Sequence, residues 1–275
     1  MKNLLGNKTN LILISLVILL LAGGFFAYQK FVVQGASQQV AEEVDLPFDA
    51  EGPYALLLPR RDGNALVLRI KRTASYDNIS YELAYTSEGI DRGVMGTIKT
   101  DDRKGEYEQE ILFGTCSKNV CKYDKDVENG TLTLHIRKGN LAYRMVTQWH
   151  LQKPDVALGV LASGDGHLTY KLSSSAGDLS LLKFTIINDL SGAPKLPDGK
   201  VVVGKVYGIN TPEAKSLYPG AVSIEQAEAP SQDSKIARFD EGKNGWVEYE
   251  TKIDGSKLSA LSDGGGVFAV LTPRE

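Results

Sequence analysis

Three regimes of apolar patterning succeed one another along the chain. From Thr9 to Gln29 there are 21 residues without a charge, and Leu11–Leu21 is almost wholly Leu, Ile and Val. At about 1.5 Å rise per residue such a helix is about 31 Å long, matching a hydrocarbon core of ~30 Å. The stretch 34–45 (QGASQQVAEEVD) is small and polar, with no periodicity, and reads as a spacer. Beyond it, short runs alternate apolar with polar positions and are broken by Gly, Pro, Asn and Asp, the pattern of half-buried strands joined by turns.

In the first half the pattern predicts seven strands, at Tyr54–Leu58, Ala65–Arg72, Ser80–Thr86, Val94–Lys99, Tyr107–Phe113, Thr131–Lys138 and Leu141–Leu151. That number over about 105 residues suggests an immunoglobulin-like or fibronectin-like sandwich. The sharpest expectation concerns Gly139-Asn140. A two-residue loop with Gly first suits a type II′ turn, which sets Lys138 opposite Leu141. Leu132, Leu134 and Ile136 then face Thr147, Met145 and Tyr143, while Thr133, His135 and Arg137 face Val146, Arg144 and Ala142. One face is apolar and the other mostly polar, so turn chemistry and hydrophobic pattern agree on the register.

The second half predicts strands at His167–Leu172, Leu181–Ile187, Val201–Gly208, Ala221–Glu225, Ile236–Phe239, Trp246–Ile253, Lys257–Leu261 and Val267–Leu271. Pro194, Pro197, Pro212, Pro219 and Pro230 mark loops between them. Thr211–Leu217 reads as a short helical piece, with Thr211 as its cap and Pro212 at the first position. The fold class expected is all-β, with an N-terminal transmembrane helix followed by two β-sandwich, immunoglobulin-like domains. The expected divisions are 1–33 for the anchor and a short cytoplasmic tail, 34–45 for the spacer, 46–153 for the first domain and 156–275 for the second. The break between domains is placed near Lys153-Pro154-Asp155.

Charge orients the anchor. Lys2 and Lys8 precede the apolar run, and the first charges after Lys30 are Glu42, Glu43 and Asp45, so the positive-inside bias puts the N-terminus in the cytoplasm and the body outside. A cleaved signal peptide is the rival, with Ala22-Gly23-Gly24 as its site. It would leave Phe25 and Phe26 at the new terminus, and the apolar run exceeds the usual ~7–15 residues of such signals. A pilin-like arrangement would use Gly6 as its processing glycine, but Leu11 stands where that family carries glutamate. No cysteine lies near the segment to take a lipoprotein anchor. After Lys30 the chain holds 34 acidic and 28 basic residues, a mildly acidic balance without the basic footprint that nucleic acid or anionic lipid requires.

In an exported chain the only two cysteines, Cys116 and Cys121, are expected to form a disulfide across a hairpin tip. Four intervening residues are too many for a CxxC redox pair, and no further ligands stand nearby for zinc. His135, His150 and His167 read as structural or surface residues. Asp240-Glu241-Gly242-Lys243-Asn244-Gly245 and the alternating Asp124, Asp126 and Glu128 imitate parts of calcium loops but read as solvated turns; Thr251 stands where such a loop needs glutamate. Ser163-Gly164-Asp165-Gly166-His167 holds the residue types of a catalytic triad within one turn, which is not triad geometry. Gly264-Gly265-Gly266 has no following Lys-Ser/Thr to make a phosphate loop. No catalytic, cofactor-binding or metal-binding residue is therefore predicted.

From Ile236–Phe239 through Trp246-Val247, Asp254-Gly255 and Leu258–Leu261 to Val267–Leu271, the chain resembles the closing half of immunoglobulin-like modules of the ZU5 type found in prokaryotic surface proteins. The resemblance covers about 40 residues, implies a structural or interaction module and brings no catalytic residues. The function expected is a non-enzymatic, single-pass surface protein. Its partners would be the bilayer through the helix, and another envelope protein or a glycan through the body. Two alternatives are a carbohydrate- or wall-binding module, suggested by Tyr76, Tyr81, Tyr85, Tyr107 and Tyr123, and an accessory subunit of a membrane assembly or secretion complex.

Overall fold

A computed structural model describes Leu16, Val17, Leu19–Leu21 and Gly23–Phe25 of the apolar segment, and residues 42–46, 48–98, 105–118, 120–153, 159–173, 182–213 and 215–274 of the body. The described residues of the apolar segment are helical. Among the described residues no helix is long and apolar enough to cross a membrane, and most of Thr9–Gln29 lies outside that set. Residues 43–275 form one compact unit, distinct from residues 1–42.

The body is all-β and contains several sheets. Ten strands make the central one. Its order is β17 (Gly245–Glu248), β16 (Lys235–Asp240), β20 (Gly266–Pro273), β14 (Lys200–Asn210), β13 (Phe184–Asn188), β10 (Leu141–Gln152), β9 (Asn129–Lys138), β4 (Asn78–Ser87) and β5 (Ile90–Ile98), with β1 (Glu43–Asp45) parallel beside β10. A three-stranded sheet consists of β2 (Tyr54–Pro59), β3 (Ala65–Lys71) and β6 (Glu106–Leu112); a five-stranded one runs β11 (Val160–Ala162), β12 (Leu168–Leu172), β15 (Gly220–Glu225), β19 (Lys257–Ser262) and β18 (Lys252–Asp254). A separate hairpin pairs β7 (Gly114–Ser117) with β8 (Val120–Tyr123).

Two cores explain this layering. The first joins Leu57, Leu68 and Ile70 of the three-stranded sheet to Leu83, Leu134, Met145 and Trp149, and also to Ile187, Val206, Ala237, Val267, Ala269 and Leu271. The second joins Tyr170, Val222, Ile224 and Leu258 of the five-stranded sheet to Phe184, Ile186, Tyr207, Ile209, Ile236, Phe268 and Val270. Alternate residues of β13, β14, β16 and β20 thus enter different cores. Strands covered on both faces read as continuous apolar runs, and that is why FTII and VFAVL show no alternation. All five residues of β13 are buried.

The place expected to divide two domains falls inside the central sheet. β10 before it and β13 after it are hydrogen-bonded neighbours, with Trp149 opposite Ile187; Pro154 and Asp155 lie outside the described residues. The β9–β10 hairpin has the register its turn predicts, from Lys138 opposite Leu141 to Leu132 opposite Thr147. Gly139 has φ 58° and Asn140 a negative φ, as a type II′ turn requires.

Three expectations need correction. The polar spacer does not reach Asp45, because Glu43–Asp45 is a strand. It has no apolar alternation to announce it and is held by backbone pairing with β10, with Glu43 2.9 Å from His135 and Asp45 2.8 Å from Arg144. Trp246–Ile253 is two strands, β17 and β18, which belong to different sheets. Among its described residues, Thr211–Leu217 makes a single turn instead of a helix: Lys215 N–H donates to the Pro212 carbonyl, and Thr211 Oγ1 donates to the Lys215 carbonyl.

Candidate functional site

The second core draws nothing from β10, β9, β4 or β5. On that side of the central sheet these four strands form a shelf that no second sheet covers among the described residues, with Glu43 and Asp45 of β1 reaching His135 and Arg144 at one end; its rows follow from strand pairing. Thr97, Ser80, His135 and Arg144 make one row; Met95, Glu82, Thr133 and Val146 the next; Gly93, Ala84, Thr131 and Gln148 the third. Their undersides (Ile79, Leu83, Leu132, Leu134, Met145) belong to the first core, so the period-2 pleat fixes which residues look outward. Ser80, Ala84, Gly93, Thr97, Thr131 and Thr133 give the shelf a low middle, with longer polar chains such as Glu82, His135, Arg144 and Gln148 among them. Met95 (79% exposed) and Val146 (45%) stand out from it as apolar points.

Two hollows flank β10. One, about 500 Å³, is lined by Thr131, Gln148, His150, Gly164 and Asn188. The other, about 380 Å³, is lined by Asp45, Phe48, Arg144, Val146 and Asp189. Burial depresses the His150 pKa, opposed by hydrogen bonds with Gln152 and the Ala162 backbone. The wall beside it is the turn Ser163–Gly166. There Gly166 N–H donates to the Ser163 carbonyl, and Gly164 N–H donates to Asn188 Oδ1 at 3.1 Å. Burial raises the Asp165 carboxyl, but hydrogen bonds from Ser163 Oγ and from Lys205 Nζ at 3.0 Å outweigh it, and the net pKa is lowered. Ser163, Asp165 and His167 are thus a turn, with His167 exposed and only its backbone N–H bonded to Asp165.

A third cleft, about 470 Å³, lies where Leu56, Leu58, Asn210, Arg238, Asp263 and Gly265 meet. At its centre Arg238, Asp240 and Asp263 are engaged with one another. Arg238 donates to Tyr249 Oη (2.9 Å), Asp263 (2.8 Å), Asp240 (3.1 Å) and the Gly265 carbonyl (3.1 Å). Tyr249 Oη in turn donates to Asp263 and accepts from Ser262 Oγ. That hydrogen bond from Tyr249 is the main reason the Asp263 carboxyl is lowered, with Arg238 adding to it against partial burial. Asp240, first residue of the calcium-like stretch, accepts the N–H groups of Gly242 and Lys243 and so closes the β16–β17 turn. This network ties β16, β19 and the Asp263–Gly265 turn together.

The remaining singled-out residues have clear places. Cys116 faces Cys121 across β7–β8 and is disulfide-bonded to it. Asp124 accepts the Tyr85 hydroxyl at 2.9 Å. Among the tyrosines, Tyr81 and Tyr85 are buried and Tyr76 and Tyr107 pack against the first core, which leaves Tyr123, with Arg60 over its ring. The shelf itself was missed in the sequence. Its signal is the polar half of the β9–β10 alternation, which says outward but not uncovered. Comparison of the chain with protein families, with curated proteins and with solved structures returns no match.

Proposed function

We propose that this is a single-pass, membrane-anchored interaction protein. In this reading residues 9–29 cross the bilayer with the N-terminus in the cytoplasm, and the body outside engages another protein through the uncovered end of its central sheet. The observation that carries the proposal is the four-stranded shelf, a broad sheet surface in a molecule that covers the rest of that face with a second layer. The address is supported by the Cys116–Cys121 bridge on an exposed hairpin, since such disulfides persist in oxidising compartments. The resemblance of Ile236–Leu271 to immunoglobulin-like modules of surface proteins points the same way, although its strands are shared between two sheets here. A glycan-binding role has less support, because the tyrosines that suggested it are mostly committed to the core.

Limited proteolysis of intact cells tests the address. The body is expected to be shaved from outside while a tag fused at the N-terminus stays protected. A body that becomes cleavable only after lysis overturns the proposal.

A further inference from the structure

The central sheet ends at β5, and among the described residues nothing pairs with its outer edge. Natural sheets blunt such edges with charged side chains, proline, a bulge or a very short strand. At the other end β17 has only four residues, and Trp246 Nε1 is tied to the Lys195 carbonyl. β5 is nine residues long, IDRGVMGTI, and six of them are exposed; its charges, Asp91 and Arg92, stand together near its start, and Gly93–Ile98 carries neither a charge nor a proline. Among the described residues, the Gly93–Ile98 part of this edge has neither a partner nor a charge.

With Val94 as the centre, Met95 and Arg92 of this strand fall opposite glycines of an antiparallel copy. We infer that β5 pairs antiparallel with β5 of a second copy, about a two-fold axis through Val94. Residues whose numbers add to the same even value then face each other, and this keeps apolar side with apolar side, as period-2 alternation demands. Gly93 lies opposite the partner's Met95, Gly96 opposite the partner's Arg92, and Asp91 opposite the partner's Thr97. The two longest side chains, Met95 and Arg92, each meet a glycine. Over Gly93 there is open space: an added Cβ would find only the Leu83 carbonyl, at 3.9 Å. The exposed thioether of the partner's Met95 fills it. Over Gly96 lies the Tyr81 ring, whose Cζ and Oη would be 2.5 Å from a Cβ there. The partner's Arg92, which within its own chain lies 3.7 Å from Asp124, comes opposite that ring-covered glycine.

One added strand pair buries less than the roughly 1,200 Å² at which stable interfaces begin, so the dimer is weak and concentration-dependent. The pairing rests on the proposal that this end of the sheet is an interaction surface, and tethering to one membrane would raise its occupancy by effective concentration.

The test uses the full chain in mild detergent, with the native disulfide retained. A mixture of Gly93→Cys and Met95→Cys proteins is expected to oxidise to a crosslinked dimer, whereas neither variant alone does. Thr97→Glu, which sets a carboxylate against the partner's Asp91 twice per dimer, should weaken association about tenfold. Asp91→Lys combined with Thr97→Glu should restore it. Both positions are exposed, so circular dichroism should stay unchanged. Crosslinking by either single variant overturns the register. A chain that sedimentation shows to be monomeric at every concentration, or one insensitive to Thr97→Glu, overturns the dimer, while the proposed address is still judged by its own protease experiment.

Discussion

At the scale of single residues, the most informative positions are those where charge or space is already fully committed. Asp263 is one. Its folded pKa lies below the ordinary carboxylate value, so its contribution to stability is fully present above about pH 4, the unfolded value, and is lost as pH falls through the lower folded one. Tyr249→Phe removes the main cause. It is expected to cost about 1 kcal/mol at neutral pH after allowance for solvent screening, and to make the acid limb of a stability–pH curve shallower. Chemical denaturation across pH 2–7 checks this; an acid limb that is unchanged would mean that Tyr249 does not set the Asp263 ionisation. Gly130 is the steric counterpart. A Cβ there would collide with the Ala84 carbonyl oxygen and the indole of Trp149. Gly130→Ala is therefore expected to destabilise by about 3 kcal/mol, through overpacking where β4, β9 and β10 meet, read as a fall in Tm. Neither position was legible beforehand, since each depends on a neighbour far away in sequence.

At the scale of elements, legibility tracked how local the determining physics is. The β9–β10 register followed from two turn residues and a period-2 pattern, both contained within 22 residues. β1 was invisible because three residues give no period, and it is held by backbone pairing with β10. The split of Trp246–Ile253 was hidden for a related reason. Trp246 and Val247 pair with β16, whereas Ile253 pairs with Leu258 in another sheet, and nothing between them breaks β propensity. The β7–β8 hairpin supplies a prediction at this scale. Replacing both Cys116 and Cys121 with serine removes a small loop closure, worth about 2 kcal/mol in the chain-entropy account. The expected result is a Tm lower by a few degrees with an unchanged far-ultraviolet spectrum. Loss of all cooperative unfolding in that variant would show that the bridge sets more than local shape.

At the scale of the whole molecule, one sheet serves two cores, and this predicts how the body comes apart. Separate sandwiches on either side of residue 154 would each close their own core and could melt independently. Here β13 sends Ile187 into the first core and Phe184 and Ile186 into the second, and β20 divides Val267, Ala269 and Leu271 from Phe268 and Val270 in the same way. Neither core can open without stripping one face from strands that the other still needs. The alternation that would have announced two faces is absent from FTII and VFAVL because both faces are buried, so the sequence showed strands there but not how many layers they hold together. The body is accordingly expected to unfold in one transition, coincident by tryptophan fluorescence and circular dichroism. Ile187→Ala and Ile186→Ala create cavities in different cores, and each is expected to cost about 2–5 kcal/mol. Each should lower that single midpoint without separating the signal into steps. Two resolved transitions, with Ile187→Ala moving only one and Ile186→Ala only the other, would show that the halves are energetically independent despite the shared sheet.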